Sequence, residues 1–175
     1  MPLYHNGQPI VEIATQGFAK DDTKTNNITH IFWENRGIGG KMTTIGVQAF
    51  GLLKMDDENY YMTESTLVHF EFPGGLKYIR KNAFNSQYYL EIQAFPLGIE
   101  EIGEYAFYHC YDLNTSIVHG VTIKRYAFAG SFGKQPIVII GDDVVTIEDS
   151  AFAYYLGKNY TGYGKWTTVD IGSGI

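Results

Sequence analysis

The sequence is poor in the residues that disulfide frameworks, zinc sites and nucleic-acid surfaces need. Its 175 residues include one cysteine, Cys110, which excludes a disulfide within the chain. The five histidines lack the Cys or His neighbours at short spacing that a structural zinc site requires. Lysine and arginine total 13 against 19 for aspartate and glutamate, with no local basic patch, so nucleic acid is not an expected partner. No apolar run approaches the length of a membrane span.

Sequence motifs of enzymes are also missing. There is no G-x-S-x-G elbow and no phosphate-binding glycine loop. The acidic clusters are interpreted as solvated loop charge, and the weak calcium alternative at Asp56 to Glu58 lacks the ligand spacing of an EF-hand loop. The start, MPLYHNGQPI, does not resemble a secretory signal peptide. We therefore expect a protein that is not an enzyme, with no catalytic residue, cofactor or metal.

The chain is rich in aromatic residues, at 15%, and many of them fall into one recurring motif. The motif is an isoleucine, three variable residues, a small residue and a phenylalanine. Its copies lie at 13–18, 45–50, 79–84, 102–107, 123–128 and 147–152. Self-similarity of this kind predicts a repeat architecture in which stacked coils bury the apolar side of each repeat. We expect one solenoid domain over residues 1–175, with a core that includes Phe18, Phe50, Phe84, Phe107, Phe128, Phe152 and Cys110.

Two segments resemble a known family. IGEYAFYHCYDL, from Ile102 to Leu113, and LVHFEFPGGLKYI, from Leu67 to Ile79, look like the BspA-like leucine-rich repeat, also called the Treponema pallidum type. The resemblance implies a mainly β, right-handed leucine-rich-repeat solenoid of about six coils, with short strands, turns and only brief helical pieces around the motifs. It also implies a binding role, in bacterial or protist surface proteins or in phage-encoded proteins, so an extracellular surface or a virion is the expected location.

The strand segment Leu67 to Pro73 predicts which side chains face outward. If Leu67, Phe70 and Phe72 point inward, then His69 and Glu71 point outward, because alternate strand residues face opposite sides. The equivalent outward pairs in the other coils are His30 with Phe32, Ile92 with Ala94, Thr115 with Ile117, Ile137 with Ile139, and Thr168 with Asp170.

We define the apolar stripe as Ile92, Ile117, Ile137 and Ile139, and an exposed stripe of this kind indicates an interface. A one-residue slip of register would instead turn these side chains inward. Gln93 and Gln135, which the alignment places inward, favour the slip, and the sequence leaves both readings open.

Tyrosine-rich segments and one insertion are further candidates for recognition. Tyr60 and Tyr61 lie in the insertion from Lys54 to Ser65, where a rigid scaffold would display them. The alternative is that the tyrosines only cover the outer side of the coils. The predicted function is a non-enzymatic binding or adhesion module for a protein or glycan. The alternative is a structural assembly subunit, for example of a phage tail, whose ends and apolar stripe are buried by neighbouring chains or by copies of itself.

Overall fold

The computed structural model describes residues 4–5, 8–19, 28–33, 41–52, 65–115, 117–133, 137–153 and 168–171. Within them the chain forms short strands and no helix. The strands are β1 (Tyr4–His5), β2 (Gln8–Pro9), β3 (Glu12–Ile13), β4 (His30–Ile31), β5 (Thr44–Ile45), β6 (His69–Phe70), β7 (Tyr78–Ile79), β8 (Glu101–Ile102), β9 (Ile117–Val118), β10 (Thr122–Ile123), β11 (Ile137–Ile140), β12 (Thr146–Ile147) and β13 (Thr168–Ile171). This is the mainly β, stacked-coil architecture that the repeat predicts.

One wall of the solenoid is a six-stranded parallel sheet in the order β12-β10-β8-β7-β5-β3. Each of these strands ends on the isoleucine of a motif. The isoleucines pair in register from coil to coil, in the order Ile13, Ile45, Ile79, Ile102, Ile123 and Ile147. All are buried except Ile147, which is 43% exposed on the edge strand β12. The six isoleucines therefore occupy equivalent positions in successive coils.

The residues after each motif isoleucine form hydrogen-bonded turns. In the second motif the N–H of Ala49 donates to the carbonyl of Gly46 at 3.2 Å, and Gln48 between them has a φ of 51°. The third variable residue has a positive φ in every motif, at Gln16, Gln48, Asn82, Tyr105, Tyr126 and Ser150. A positive φ at the third turn position alone is the pattern of a type II turn. The brief helical pieces expected at the motifs are therefore turns.

Backbone hydrogen bonds between coils replace the hydrogen bonds that a helix would supply at these turns. The N–H groups of Gln48 and Phe50 donate to the carbonyls of Lys81 and Ala83 in the next coil, at 3.0 and 2.8 Å. Alternate donors thus serve their own turn and the neighbouring coil. The buried backbone is satisfied by stacking, as a packed interior requires.

The motif phenylalanines form a continuous stack through the core. The ring centroids of successive residues are 5.0–5.2 Å apart with interplanar angles of 1–11°, for the pairs Phe18–Phe50, Phe50–Phe84, Phe84–Phe107, Phe107–Phe128 and Phe128–Phe152. The four central rings are buried, while Phe18 and Phe152 are partly buried and pack against the core. The preceding alanines Ala49, Ala83, Ala106 and Ala127 are fully buried, which lets the coils approach closely. These four central rings and four alanines are part of one continuous core.

The second wall consists of two smaller parallel sheets, β4-β6 and β13-β11-β9. His30 pairs with His69, and Ile117 pairs with Ile139, which in turn pairs with Asp170. These pairs match the predicted alignment of the outward positions at both ends of the wall.

The fourth coil departs from the predicted alignment. His69 forms its bridge with Glu91, not with Ile92, and Ile92 is only 1% exposed. Outward placement of Ile92 was therefore wrong, and the register slip is correct at this coil. The cause is one additional residue: Phe70 and Phe72 are separated by one residue, whereas Ile92 and the next buried aromatic, Phe95, are separated by two. Such an extra residue disrupts strand alternation in the manner of a β-bulge. Gln93 and Ala94 are both exposed, and Thr115 is buried rather than outward.

Candidate functional site

The outer side of β4 and β6 carries a cluster of three aromatic rings, which we call the aromatic face: His30, Phe32 and His69. The ring of Phe32 lies 5.1 Å from that of His69 and 6.0 Å from that of His30, and the two imidazoles are 6.1 Å apart. Phe32 is 51% exposed. His30 is also exposed, and His69 is partly exposed.

A hydrogen bond fixes the backbone beside the aromatic face, and two carboxylate side chains border the face. The indole N–H of the buried Trp33 donates to the carbonyl of Glu71, which fixes the strand end beside Phe32. Glu71 is partly exposed, and Glu91, bridged to His69, is exposed. Aromatic rings flanked by carboxylates attract cationic groups through the ring faces and through charge.

The predicted apolar stripe does not exist as one surface. Ile92 is in the core, and its neighbours Glu91, Gln93 and Ala94 are exposed instead. Ile117 is exposed and Ile139 partly exposed on the separate sheet of β9 and β11. The side chain of Ile137 and the residues Tyr60, Tyr61 and Gln135 lie outside the described set.

The described tyrosines stack between coils. Tyr105 lies on Tyr126 and Tyr88 on Tyr111, with centroids 5.1 Å apart in both pairs. Tyr111 also covers Gly133, where an added Cβ would lie 1.9 Å from the phenol ring. These four tyrosines therefore pack against neighbouring coils and cover the solenoid.

The repeats match the family model for the BspA-type leucine-rich repeat region, in six copies over residues 25–157. The chain belongs to the BspA-type leucine-rich repeat family. No curated protein and no solved structure matches it significantly. The family model begins after the first motif, but β3 pairs in register with β5, so the structure adds Ile13 to Phe18 to the same stack. BspA-type repeats are generally non-enzymatic and form interaction modules.

One position of the BspA-type repeat supplies a hydrogen-bond donor between coils. The residue three places after the motif phenylalanine is Gln87, Cys110 or Ser131 in successive coils, and each is buried. Gln87 Nε2 donates to the carbonyl of Phe50 at 2.6 Å, Cys110 Sγ to that of Phe84 at 3.1 Å, and Ser131 Oγ to that of Phe107. The three different side chains thus each donate to the phenylalanine carbonyl of the preceding coil, and the carbonyls of Phe84 and Phe107 also accept a backbone N–H.

Cys110 is a member of the hydrophobic core. Its thiol is fully buried, and burial raises its pKa well above the usual range. A thiol kept protonated is a poor nucleophile and a poor metal ligand. Its surroundings therefore suit core packing rather than thiol chemistry.

Ion pairs between coils form a surface that the sequence did not reveal. Arg80 pairs with Glu101 at 3.2 Å, Lys81 with Glu104 at 2.7 Å and Lys124 with Glu148 at 2.7 Å. Except for Glu101, which begins β8, these side chains occupy the first and second variable positions of the motif. The sequence did contain a sign of these pairs, because the charge at the variable positions alternates between positive and negative in the motifs at 79–84, 102–107, 123–128 and 147–152.

Lys77 and Tyr78 border this surface. Both donate to the Glu100 carboxylate, Lys77 at 2.7 Å. These hydrogen bonds lower the pKa of Glu100 and raise the pKa of Lys77 and of Tyr78. The acidic pair at residues 100 and 101 is therefore bound to neighbouring side chains, rather than being free loop charge.

Two kinds of feature are absent from the described part of the chain. No group of three or more His, Cys, Asp or Glu side chains is placed to hold a metal ion there. The described residues also contain no apolar helix of membrane-spanning length.

Proposed function

We propose that this chain is a non-enzymatic binding module that engages a protein partner through the aromatic face. The observation that carries the proposal is the exposure of Phe32 between two histidines on a rigid parallel ladder. Clustered aromatic side chains are typical anchors of protein interfaces. The adjacent Glu71 and Glu91 favour a partner that presents a lysine or arginine beside an apolar side chain.

Substitution of Phe32 tests this proposal against a matched control. Immobilised wild-type protein, Phe32→Ser and Leu97→Ser are incubated with extracts of surface and secreted proteins, and bound species are identified by mass spectrometry. Leu97 is 73% exposed and lies outside the aromatic face. We expect a partner that wild type and Leu97→Ser capture and Phe32→Ser does not. If Phe32→Ser retains every species that wild type captures, while all three proteins unfold at the same temperature, the proposal is wrong.

A second candidate, an assembly subunit, is favoured by the edge of the six-stranded sheet. On β12 and beside it, Ile147 is 43% exposed and Val145 is 78% exposed. An edge strand with exposed apolar side chains is a template for pairing with another chain. Sedimentation velocity over a hundredfold concentration range tests this candidate. Association that Val145→Lys abolishes would support it, and a monomer at every concentration would refute self-assembly.

A further inference from the structure

The ion-paired surface contains a groove of about 430 Å³ along the solenoid. The lining residues come from five successive motifs and the strands before them, and they are Val47, Arg80, Lys81, Glu101, Gly103, Glu104, Lys124, Arg125 and Glu148. Neighbouring parallel strands are about 4.8 Å apart, so four steps between coils give a length of about 19 Å. A groove of that length accommodates a short extended chain rather than a single small molecule.

Gly103 lies at the middle of the groove and presents no side chain to it. The same position, the first after the motif isoleucine, carries Arg80, Lys124 and Glu148 in the other coils where it lines the groove. At Gly103 an added Cβ would lie 2.7 Å from the backbone carbon of Arg80, so the two coils approach too closely for a side chain there. The row of long side chains is therefore interrupted between Arg80 and Lys124.

The charges along the groove favour hydroxyl groups over a polyanion. Each of the three glutamates that line it is paired with a cation of another coil, and each cation keeps further N–H donors. A hydroxyl both donates and accepts, so it can bond to a carboxylate and to a cation without separating them. A ligand with many negative charges would instead be repelled by Glu101, Glu104 and Glu148.

Arg125 is the exception among the groove cations. Its guanidinium lies over the Tyr126 ring at 4.8 Å and Nη2 donates to the Tyr126 hydroxyl at 3.4 Å, and no ion pair of Arg125 occurs within the described residues. Arg125 is exposed. A guanidinium in this setting offers paired N–H donors that match one carboxylate.

We propose that this groove binds a short oligosaccharide that carries one carboxylate, as a uronic acid residue does. The carboxylate binds Arg125, and the sugar hydroxyls bind along the row of ion pairs on both sides of Gly103. The site shares no residue with the aromatic face, so its test and the test of the proposed function are independent.

The proposal is tested by NMR titration of ¹⁵N-labelled protein with two matched sugars. The acidic probe is glucuronosyl-xylotriose, which has a single carboxylate, and the neutral probe is xylotetraose. We expect the acidic sugar to shift the amide signals of Gly103, Glu104 and Arg125, and to bind about tenfold more tightly than xylotetraose, the effect of one hydrogen bond to a charged group.

Two variants that each lose one positive charge test whether the preference for the acidic sugar depends on Arg125. Arg125→Gln is expected to weaken binding of the acidic sugar about tenfold and to leave xylotetraose unchanged. Lys41→Gln, at an exposed lysine outside the groove, should change neither affinity. Equal affinity for both sugars, no shift at the three amides, or an equal effect of both variants would each overturn the proposal. A blocked tetrapeptide with one glutamate that binds as tightly as the acidic sugar would also overturn it, in favour of an acidic peptide.

Discussion

Replacing Phe107 with alanine removes one of the two middle rings of the six-membered phenylalanine stack. The Phe107 side chain is fully buried, and its ring stacks on Phe84 at 5.0 Å and on Phe128 at 5.1 Å, with Phe95 in edge contact at 5.4 Å. Truncation of a buried phenylalanine to alanine costs about 3–5 kcal/mol. The loss of two stacked partners, each worth about 0.5–1.5 kcal/mol beyond burial, places the expected cost at the upper end, about 5 kcal/mol.

The surrounding backbone prevents the cavity from closing. The N–H of Phe107 donates to the carbonyl of Ala127 at 2.7 Å, and that of Phe84 donates to the carbonyl of Ala106 at 2.8 Å. These bonds fix the spacing between coils on both sides of the missing ring. Because the cost of a cavity grows with the volume that remains unfilled, a fixed spacing keeps the penalty high.

Urea denaturation followed by circular dichroism measures the change. Phe107→Leu, which keeps most of the apolar volume, should lose about 1.5 kcal/mol, and Leu97→Ala, at an exposed position, should stay within about 0.5 kcal/mol of wild type. A loss below about 1 kcal/mol for Phe107→Ala, with an unchanged dependence on urea, would refute the assignment of this ring to a rigid core.

The repeat could be predicted from the sequence because its two determinants are local. An isoleucine and a phenylalanine five residues later recur in every coil, and both are buried in the four central ones. The parallel register follows because each of these residues stacks on its equivalent in the next coil. The turn between them was not recognised, because glutamine and tyrosine, found at Gln48 and Tyr105, are not residue types that favour a positive φ. Stacking hydrogen bonds from the next coil impose that conformation.

Features that depend on contacts between coils were harder to predict. Ile92 was misplaced because a single extra residue before Phe95 reverses strand alternation, and a sequence does not show where such a residue is accommodated. The donor position went unrecognised since Gln87, Cys110 and Ser131 share a hydrogen-bonding role but no similarity of type. The groove was missed for the same reason, because its ion pairs join residues more than twenty positions apart.

Three further predictions concern the donor position, the turn and the partly buried His109. Cys110→Ala should cost about 1 kcal/mol in urea denaturation, because the Phe84 carbonyl loses a donor, whereas Cys110→Ser should stay close to wild type; equal losses would contradict the donor role. Val47→Pro should raise the free energy of unfolding by about 0.5–1 kcal/mol, since proline suits the second position of a type II turn, and a decrease would argue against that turn. His109 has a pKa of about 4 because burial disfavours its charged form, against an ordinary value of 6.5. As the pH falls from 6.5 towards 4, the unfolded chain binds this proton and the folded chain does not. The contribution of His109 to stability is therefore complete above pH 6.5 and lost progressively below it, by about 3 kcal/mol at pH 4. His109→Gln removes this titration, so its free energy of unfolding, measured by urea denaturation at half-unit steps, should fall less steeply between pH 6.5 and 4 than that of wild type. Parallel curves for the two proteins would show that the ring of His109 takes up its proton as readily in the folded chain as in the unfolded one.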